Sequence, residues 1–366
     1  MLHWRCIDKY NSPYTSPKTG YLVVEGYISG NGPTQYTLSR TIPLPGDSAI
    51  PAETGAKLQI EGNDNSVYPL TELGSGVYGV DTLPLSTANQ YRLRINTAEG
   101  EQYLSSFVPY KPTPPIDSIS WTYNTSGVNT YVNTHDPAND TRYYQWNYTE
   151  TWQYTSAEQS YEIYEPLEDT VIFRPYSEQD YNCWISRSST NILLGNSTKL
   201  AQDVISEAPI NFIPIGTQQI SLMYSILIRQ YALTADAYNF LSLMQQNTES
   251  LGSIFDATPS QVKGNIQCLT NPGESVVGYV SAGTVQQLRL FIPHYDVAGW
   301  VYAFACGLPD YGVPDIPDSL IKYYEEEGYA PVLQSQPGAR IASNLIGCVD
   351  CRAQGGTNVQ PAFWPN

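Results

Sequence analysis

The sequence predicts a mainly β protein: two immunoglobulin- or fibronectin-like β-sandwich domains, the second carrying a short helical insertion. Three observations carry that expectation. Tyrosine supplies 30 of the 366 residues while charged residues make up only 14%, a balance that suits pleated, half-buried surfaces and is the reverse of a disordered chain. Short runs rich in β-branched and aromatic residues recur about every 8 to 15 residues, separated by Gly, Asn and Pro, the spacing of antiparallel sandwiches. One longer stretch switches to a helical period.

Residues 1–19 read as an N-terminal tether, because positions 7–20 hold Asn, Ser, Pro, Thr and Gly without periodicity. Strands are expected over residues 21–28, 35–40, 56–60, 67–70, 76–80, 90–95 and 102–107. Tyr91-Arg92-Leu93-Arg94-Ile95 shows the period of 2 plainly, with both arginines on the wet face. Pro109, Pro112, Pro114 and Pro115 do not suit a central strand and read as a stiff linker. They close a first sandwich over residues 20–112.

The second domain, residues 113–366, opens with strands over 116–121, 130–133 and 142–152, and continues with one over 220–228. Thr234 is then placed to cap a helix over about 235–250, with Ala237, Tyr238, Leu241, Leu243 and Met244 on one apolar face and Gly252 as its stop. Strands over 264–269, 276–281 and 286–292 follow. The Pro/Gly-rich C-terminal segment carries one acidic helical patch at 323–327.

With 18 basic residues against 35 acidic ones, the formal charge is −17. Nucleic acid is not an expected partner, because a phosphate backbone needs a concentrated basic footprint. The longest apolar run, residues 298–308, is well short of the roughly 18 residues a membrane helix needs. Residues 1–6 have neither the charged region nor the apolar stretch of a signal peptide. The six cysteines are Cys6, Cys183, Cys268, Cys306, Cys348 and Cys351. Cys348-Val349-Asp350-Cys351 stands alone, without the second pair a zinc ribbon needs and without a βαβ setting for redox chemistry, so disulfides in an oxidising compartment are expected. Cys306 is expected to bond Cys348 or Cys351, and Cys183 to bond Cys268.

Catalytic signatures for acyl transfer, phosphate binding, zinc hydrolysis and dinucleotides are missing, and no catalytic residue, metal or cofactor is expected. Asn63-Asp64-Asn65 and Asp310, Asp315 and Asp318 do not match a calcium-loop pattern and read as turn residues. The aromatic density between Tyr143 and Trp184 stands out. Tyr144, Trp146 and Tyr148 share one face of a strand that runs on to Trp152, and these four are candidates for a surface that presents rings to a sugar, a peptide or another protein. Core packing is the competing reading.

Several segments in fixed order carry a resemblance. They include Cys6-Ile7-Asp8-Lys9-Tyr10, Tyr21-Leu22-Val23-Val24-Glu25-Gly26-Tyr27-Ile28, Thr37-Leu38-Ser39-Arg40, Cys183-Trp184 and Gln230-Tyr231-Ala232-Leu233. Further on come Leu251-Gly252-Ser253-Ile254-Phe255-Asp256, Gly264-Asn265-Ile266, Cys348-Val349-Asp350-Cys351, Gly355-Gly356-Thr357-Asn358 and Phe363-Trp364. The set resembles a family of Bacteroidota surface lipoproteins encoded beside SusC/SusD-like outer-membrane transporters. The resemblance implies an outward-facing outer-membrane lipoprotein with an immunoglobulin-like N-terminal domain, SusC/SusD-like subunits as partners, and Cys6 as the acylated anchor, its only link to the membrane. His3-Trp4-Arg5 departs from a lipobox, leaving open a truncated start or a Cys6 that is not the anchor. The function expected is a non-catalytic accessory or ligand-binding component of a TonB-dependent importer. The alternatives are a stand-alone glycan- or peptide-binding module and a surface hydrolase using a carboxylate pair.

Overall fold

The computed structural model describes residues 20–42, 49–249, 263–302, 304–306, 310–343 and 346–365. Cys6, the tether and the expected helix stop at Gly252 lie outside them. The fold is mainly β and divides into two compact units. One comprises the described residues up to Thr113 together with Tyr231–Val285, and the other Pro114–Gln230 and the described residues from Gln286 onward.

The first unit begins with β1 (Leu22–Ser29), β2 (Thr34–Arg40), β3 (Lys57–Gly62), β4 (Val67–Gly74), β5 (Val77–Val80), β6 (Gln90–Asn96), β7 (Gln102–Ser105) and β8 (Val108–Lys111). Alternation decides which side chains enter the core. On β6, Tyr91, Leu93 and Ile95 are buried while Arg92 and Arg94 lie on the other face. Successive halves of strand β4 pair with different neighbours: Val67–Leu70 with β3, and Thr71–Gly74 with β5. The expected linker is partly strand. Pro109 sits opposite Gln90 at the end of β6, and Tyr110 is buried.

The second unit starts with β9 (Ile116–Asn124), β10 (Gly127–His135), β11 (Tyr143–Thr155), β12 (Glu162–Glu165), β13 (Thr170–Phe173), β14 (Asn182–Ser188), β15 (Leu193–Asn196), β16 (Val204–Pro214) and β17 (Met223–Ala232). Strands β16, β10 and β9 form one sheet. In the other, β11 is flanked on one side by β14 and β15 in succession and on the other by β17. The two sheets share a core that joins Val128, Val132 and Ile213 to Trp146, Trp152 and Ile226.

The chain then returns to the first unit. Helix α1 (Ala235–Glu249) is capped as expected, Thr234 Oγ1 accepting from the Ala237 N–H at 3.2 Å. Its buried residues are Ala237 and Phe240, whereas Leu243, expected on the apolar face, is exposed. Strand β18 (Ile266–Cys268) adds to β7. Strand β19 (Val277–Gly278) pairs parallel with β1. Strand β20 (Ala282–Gly283) pairs parallel with both β1 and β8, and β8 also pairs with β6. The path β6-β3-β4-β5-β2-β1-β20-β8 therefore returns to β6 as a closed ring of eight strands. Two corrections follow. The first unit is a closed barrel and not an open two-layer sandwich, and residues 231–285 with the helix belong to it and not to the second domain. Gly283 permits the closure, because a Cβ there would lie 2.0 Å from the Lys111 carbonyl oxygen.

The second unit is completed by β21 (Val285–Pro293) beside β17, and by β22 (Asp310–Pro314), β23 (Ala330–Gln336) and β24 (Ala339–Ser343) in a separate sheet ordered β22-β24-β23. Between β22 and β23 the helical patch is longer than expected, α2 (Pro317–Leu320) running on into a π-helical stretch over Ile321–Glu326. Two disulfides close this unit, Cys183–Cys351 and Cys306–Cys348. The expected Cys183–Cys268 pairing does not form: Cys268 is a buried free thiol in the first unit. Among the described residues no helix is long and apolar enough to cross a membrane.

Candidate ligand-binding face

The four aromatic candidates of β11 form core. Tyr144, Trp146 and Trp152 are at most 2% exposed, and Tyr148 is half-buried. Each polar tip is satisfied inward. The Trp146 Nε1–H donates to Gln230 Oε1 at 2.8 Å, the Trp152 Nε1–H to Gln218 Oε1 at 3.0 Å, the Tyr148 hydroxyl to Asn211 Oδ1 at 2.9 Å, and the Tyr144 hydroxyl to Asp203. The pleat places these residues on the side facing the β16-β10-β9 sheet, so they are not a presented surface.

Glu150 lies on the same side of β11, accepting from the Tyr224 hydroxyl at 3.1 Å and from Asn211 Nδ2 at 3.2 Å. Burial pushes its carboxyl pKa up, against those hydrogen bonds and the Arg187 charge. Its partners are a phenol and an amide, which make it a structural acid within a polar network. Among the described residues no three His, Cys, Asp or Glu side chains converge as metal ligands would. Asp64 is occupied by its own turn, accepting from the Ser66 N–H and hydroxyl and from Asn89 Nδ2, and Asp315 pairs with Arg340.

An open groove of about 520 Å³ on the first unit is lined by Glu61, Arg92, Arg94 and Phe107. Its charged groups are engaged with one another, two guanidiniums sharing one carboxylate. Glu61 accepts from Arg94 Nε at 2.5 Å and from Arg92 Nε at 2.7 Å, and the Arg92 guanidinium stacks 4.4 Å from the Phe107 ring centroid. Burial opposes ionisation of Glu61, but the hydrogen bonds from Arg94, Gln59 and Arg92 outweigh it and bring the pKa down to about 2.

The other side of the β14-β11-β17-β21 sheet differs in this respect. Thr149, Thr151 and Gln153 of β11, Ser225 and Arg229 of β17, and Arg289 and Phe291 of β21 alternate with the core residues of their strands. The C-terminal segment is pinned to this sheet by a backbone bridge between Trp184 and Thr357. Trp364 follows, its ring 5.5 Å from Phe291 and 6.4 Å from Trp184, and its Nε1–H donates to Gln153 Oε1 at 3.3 Å. Arg229 donates through Nη1 to Thr149 Oγ1 at 3.0 Å, and Arg289 through Nη1 to Ser225 Oγ at 2.9 Å. The Arg289 guanidinium lies 3.5 Å from the centroid of the exposed Phe363 ring. Neither arginine is ion-paired to a described carboxylate. Sequence reasoning did not single out Arg229 or Arg289, which are sixty residues apart and meet only through strand order; the one available signal is a charged residue breaking the apolar run of β17.

Residues 7–289 match the DUF4249 family, a domain of unknown function, and the chain belongs to it. No curated protein matches the chain. Among solved structures it is similar to a two-domain fibronectin type-III segment of chicken tenascin, at 8% identity and TM-score 0.16 over 59% of this chain and 91% of that one. It is also similar to a structure described as manganese lipoxygenase of Gaeumannomyces graminis with partial zonadhesin of Komagataella pastoris, at 11% identity and TM-score 0.18 over 60% of this chain and 90% of that one. Chitinase ChiA74 from Bacillus thuringiensis matches at 14% identity and TM-score 0.15 over 54% of this chain and 28% of that one.

Proposed function

We propose that this chain is a non-catalytic cell-surface lipoprotein, anchored in the outer membrane through Cys6 and acting as an accessory or ligand-binding component of a SusC/SusD-type importer. The observation that carries the binding role is the sheet face bearing Arg229 and Arg289, two cations without a described carboxylate partner in a chain of net charge −17. Such an arrangement suits capture of a ligand better than turnover, because among the described residues no carboxylate, imidazole or thiol is bonded to either arginine. The two disulfides support an oxidising location. The anchor and the transporter partnership rest on the family resemblance.

Affinity purification from native outer membrane tests the reading. Transporter subunits should co-purify with the protein, and Cys6→Ser in the full-length precursor should release it from the membrane fraction. A Cys6→Ser protein that stays in the outer membrane overturns the anchor, and recovery without any transporter subunit overturns the partnership.

A further inference from the structure

We infer that Arg229 and Arg289 form a binding site for a carboxylate-bearing ligand on the outer face of the β11-β17-β21 sheet. The inference rests on the ligand-binding part of the function proposed above and names the chemistry of that ligand. A guanidinium has five N–H donors, and each of these two directs a single hydrogen bond at a neutral hydroxyl, Thr149 or Ser225. The other half-buried arginines are handled differently. Arg40 is paired with Glu53 and Glu101, Arg92 and Arg94 with Glu61, Arg174 with Asp180, and Arg340 with Glu162 and Asp315. Arg142 donates to the carbonyls of Ser197 and Leu200.

Two neighbouring cations on one sheet face are thus left without a carboxylate partner among the described residues. Burial, and then the like charge of Arg229, push the Arg289 pKa below the usual arginine value, a repulsion that a bound anion would relieve. The Phe363 ring centroid lies 3.5 Å from the Arg289 guanidinium, and with Nη1 bonded to Ser225 the Nε and Nη2 donors have no described partner, the pair that can give a planar carboxylate two parallel hydrogen bonds. Phe291, Phe363 and Trp364 make the surroundings apolar, which favours a singly charged carboxylate over a phosphate dianion with its larger desolvation cost. The carboxylate has two sources, a uronic-acid sugar or a peptide C-terminus.

Calorimetric titration of the full chain with trigalacturonate and its methyl ester, and with a short aromatic peptide bearing a free or an amidated C-terminus, separates them. The charged member of one pair should bind at least about tenfold more tightly than its neutral twin, and that pair identifies the source. Arg229→Gln and Arg289→Gln should each weaken the binding by about tenfold, with Lys at either position restoring it only in part. If Arg289→Gln fails to fold, Arg229→Gln and the loss of wild-type affinity at high salt carry the test. Equal binding of acid and neutral forms, undiminished binding by both Gln variants, or failure of both acids to bind overturns the assignment. The surface-lipoprotein reading is judged separately by the purification above.

Discussion

Removing the Cys183–Cys351 bridge by a double Cys→Ala substitution should destabilise the second unit more than removing Cys306–Cys348. The two bridges span 168 and 42 residues. Loop-closure entropy in the unfolded chain then gives upper values of about 5 and about 4 kcal/mol at 25 °C. The shorter loop lies wholly inside the longer one, so the intact inner bridge shortens the outer loop, but the logarithmic dependence changes its contribution by only about 0.2 kcal/mol. The expected order therefore survives, with the outer bridge worth about 1 kcal/mol more. Guanidinium unfolding followed by tryptophan fluorescence reads mainly this unit, because six of the seven tryptophans, Trp121, Trp146, Trp152, Trp184, Trp300 and Trp364, belong to it. Each double variant is compared with the oxidised parent at constant transition slope. A larger loss from the inner bridge would refute the loop-closure argument. A reduced protein that keeps the midpoint of the oxidised one would refute the bridges themselves.

Trp146→Phe should cost about 1–3 kcal/mol in the same assay, because it strands the Gln230 Oε1 acceptor in the core; an unchanged midpoint would reopen the question of what Trp146 is for. Gly195→Ala should cost a similar amount, about 1–3 kcal/mol, since its Cβ would lie 2.5 Å from the Trp146 ring, and a neutral result would mean that the strand can shift. Glu61 has its folded pKa lowered from 4.5 to about 2, so its stabilisation is complete above about pH 4.5 and is lost as the pH falls towards 2; acid titration of Glu61→Gln should lack that loss. Glu150 is shifted upward by burial, so Glu150→Gln should stabilise the protein most at neutral pH, where the parent carries the buried charge, and the gain should fade as acid protonates the parent. A gain independent of pH would remove Glu150's ionisation from the explanation.

Local patterns were legible where one physical rule acts alone. The alternation in Tyr91-Arg92-Leu93-Arg94-Ile95 places three residues inward and two outward, as the structure has them, and Thr234 caps its helix through the side chain expected of it. Bonding of Cys306 to one member of the Cys348/Cys351 pair was likewise anticipated. What depends on partners far along the chain was not legible. Tyr144, Trp146 and Tyr148 declare a shared face, but only the position of the β16-β10-β9 sheet decides that this face is interior. Ala282 and Gly283 form too short a strand to show a period, yet they join β1 to β8. Arg229 and Arg289 each look like an ordinary outward charge until strand order sets their strands side by side.

Ring closure by β20 has a consequence for how the protein is made. Until residues 281–283 have emerged from the ribosome or an export channel, the amides of Ile28 and Gly30 lack the carbonyls of Ser281 and Gly283 that they bond in the finished barrel. The nascent first unit therefore carries an open strand edge during synthesis of everything between Pro114 and Gln230, and such an edge is a template for pairing with another chain. A fragment ending at Thr113 would keep that edge for good. Vectorial synthesis thus favours factors that shield β-edges until the chain comes back, and a protein cut at the apparent domain boundary should aggregate where the full chain does not.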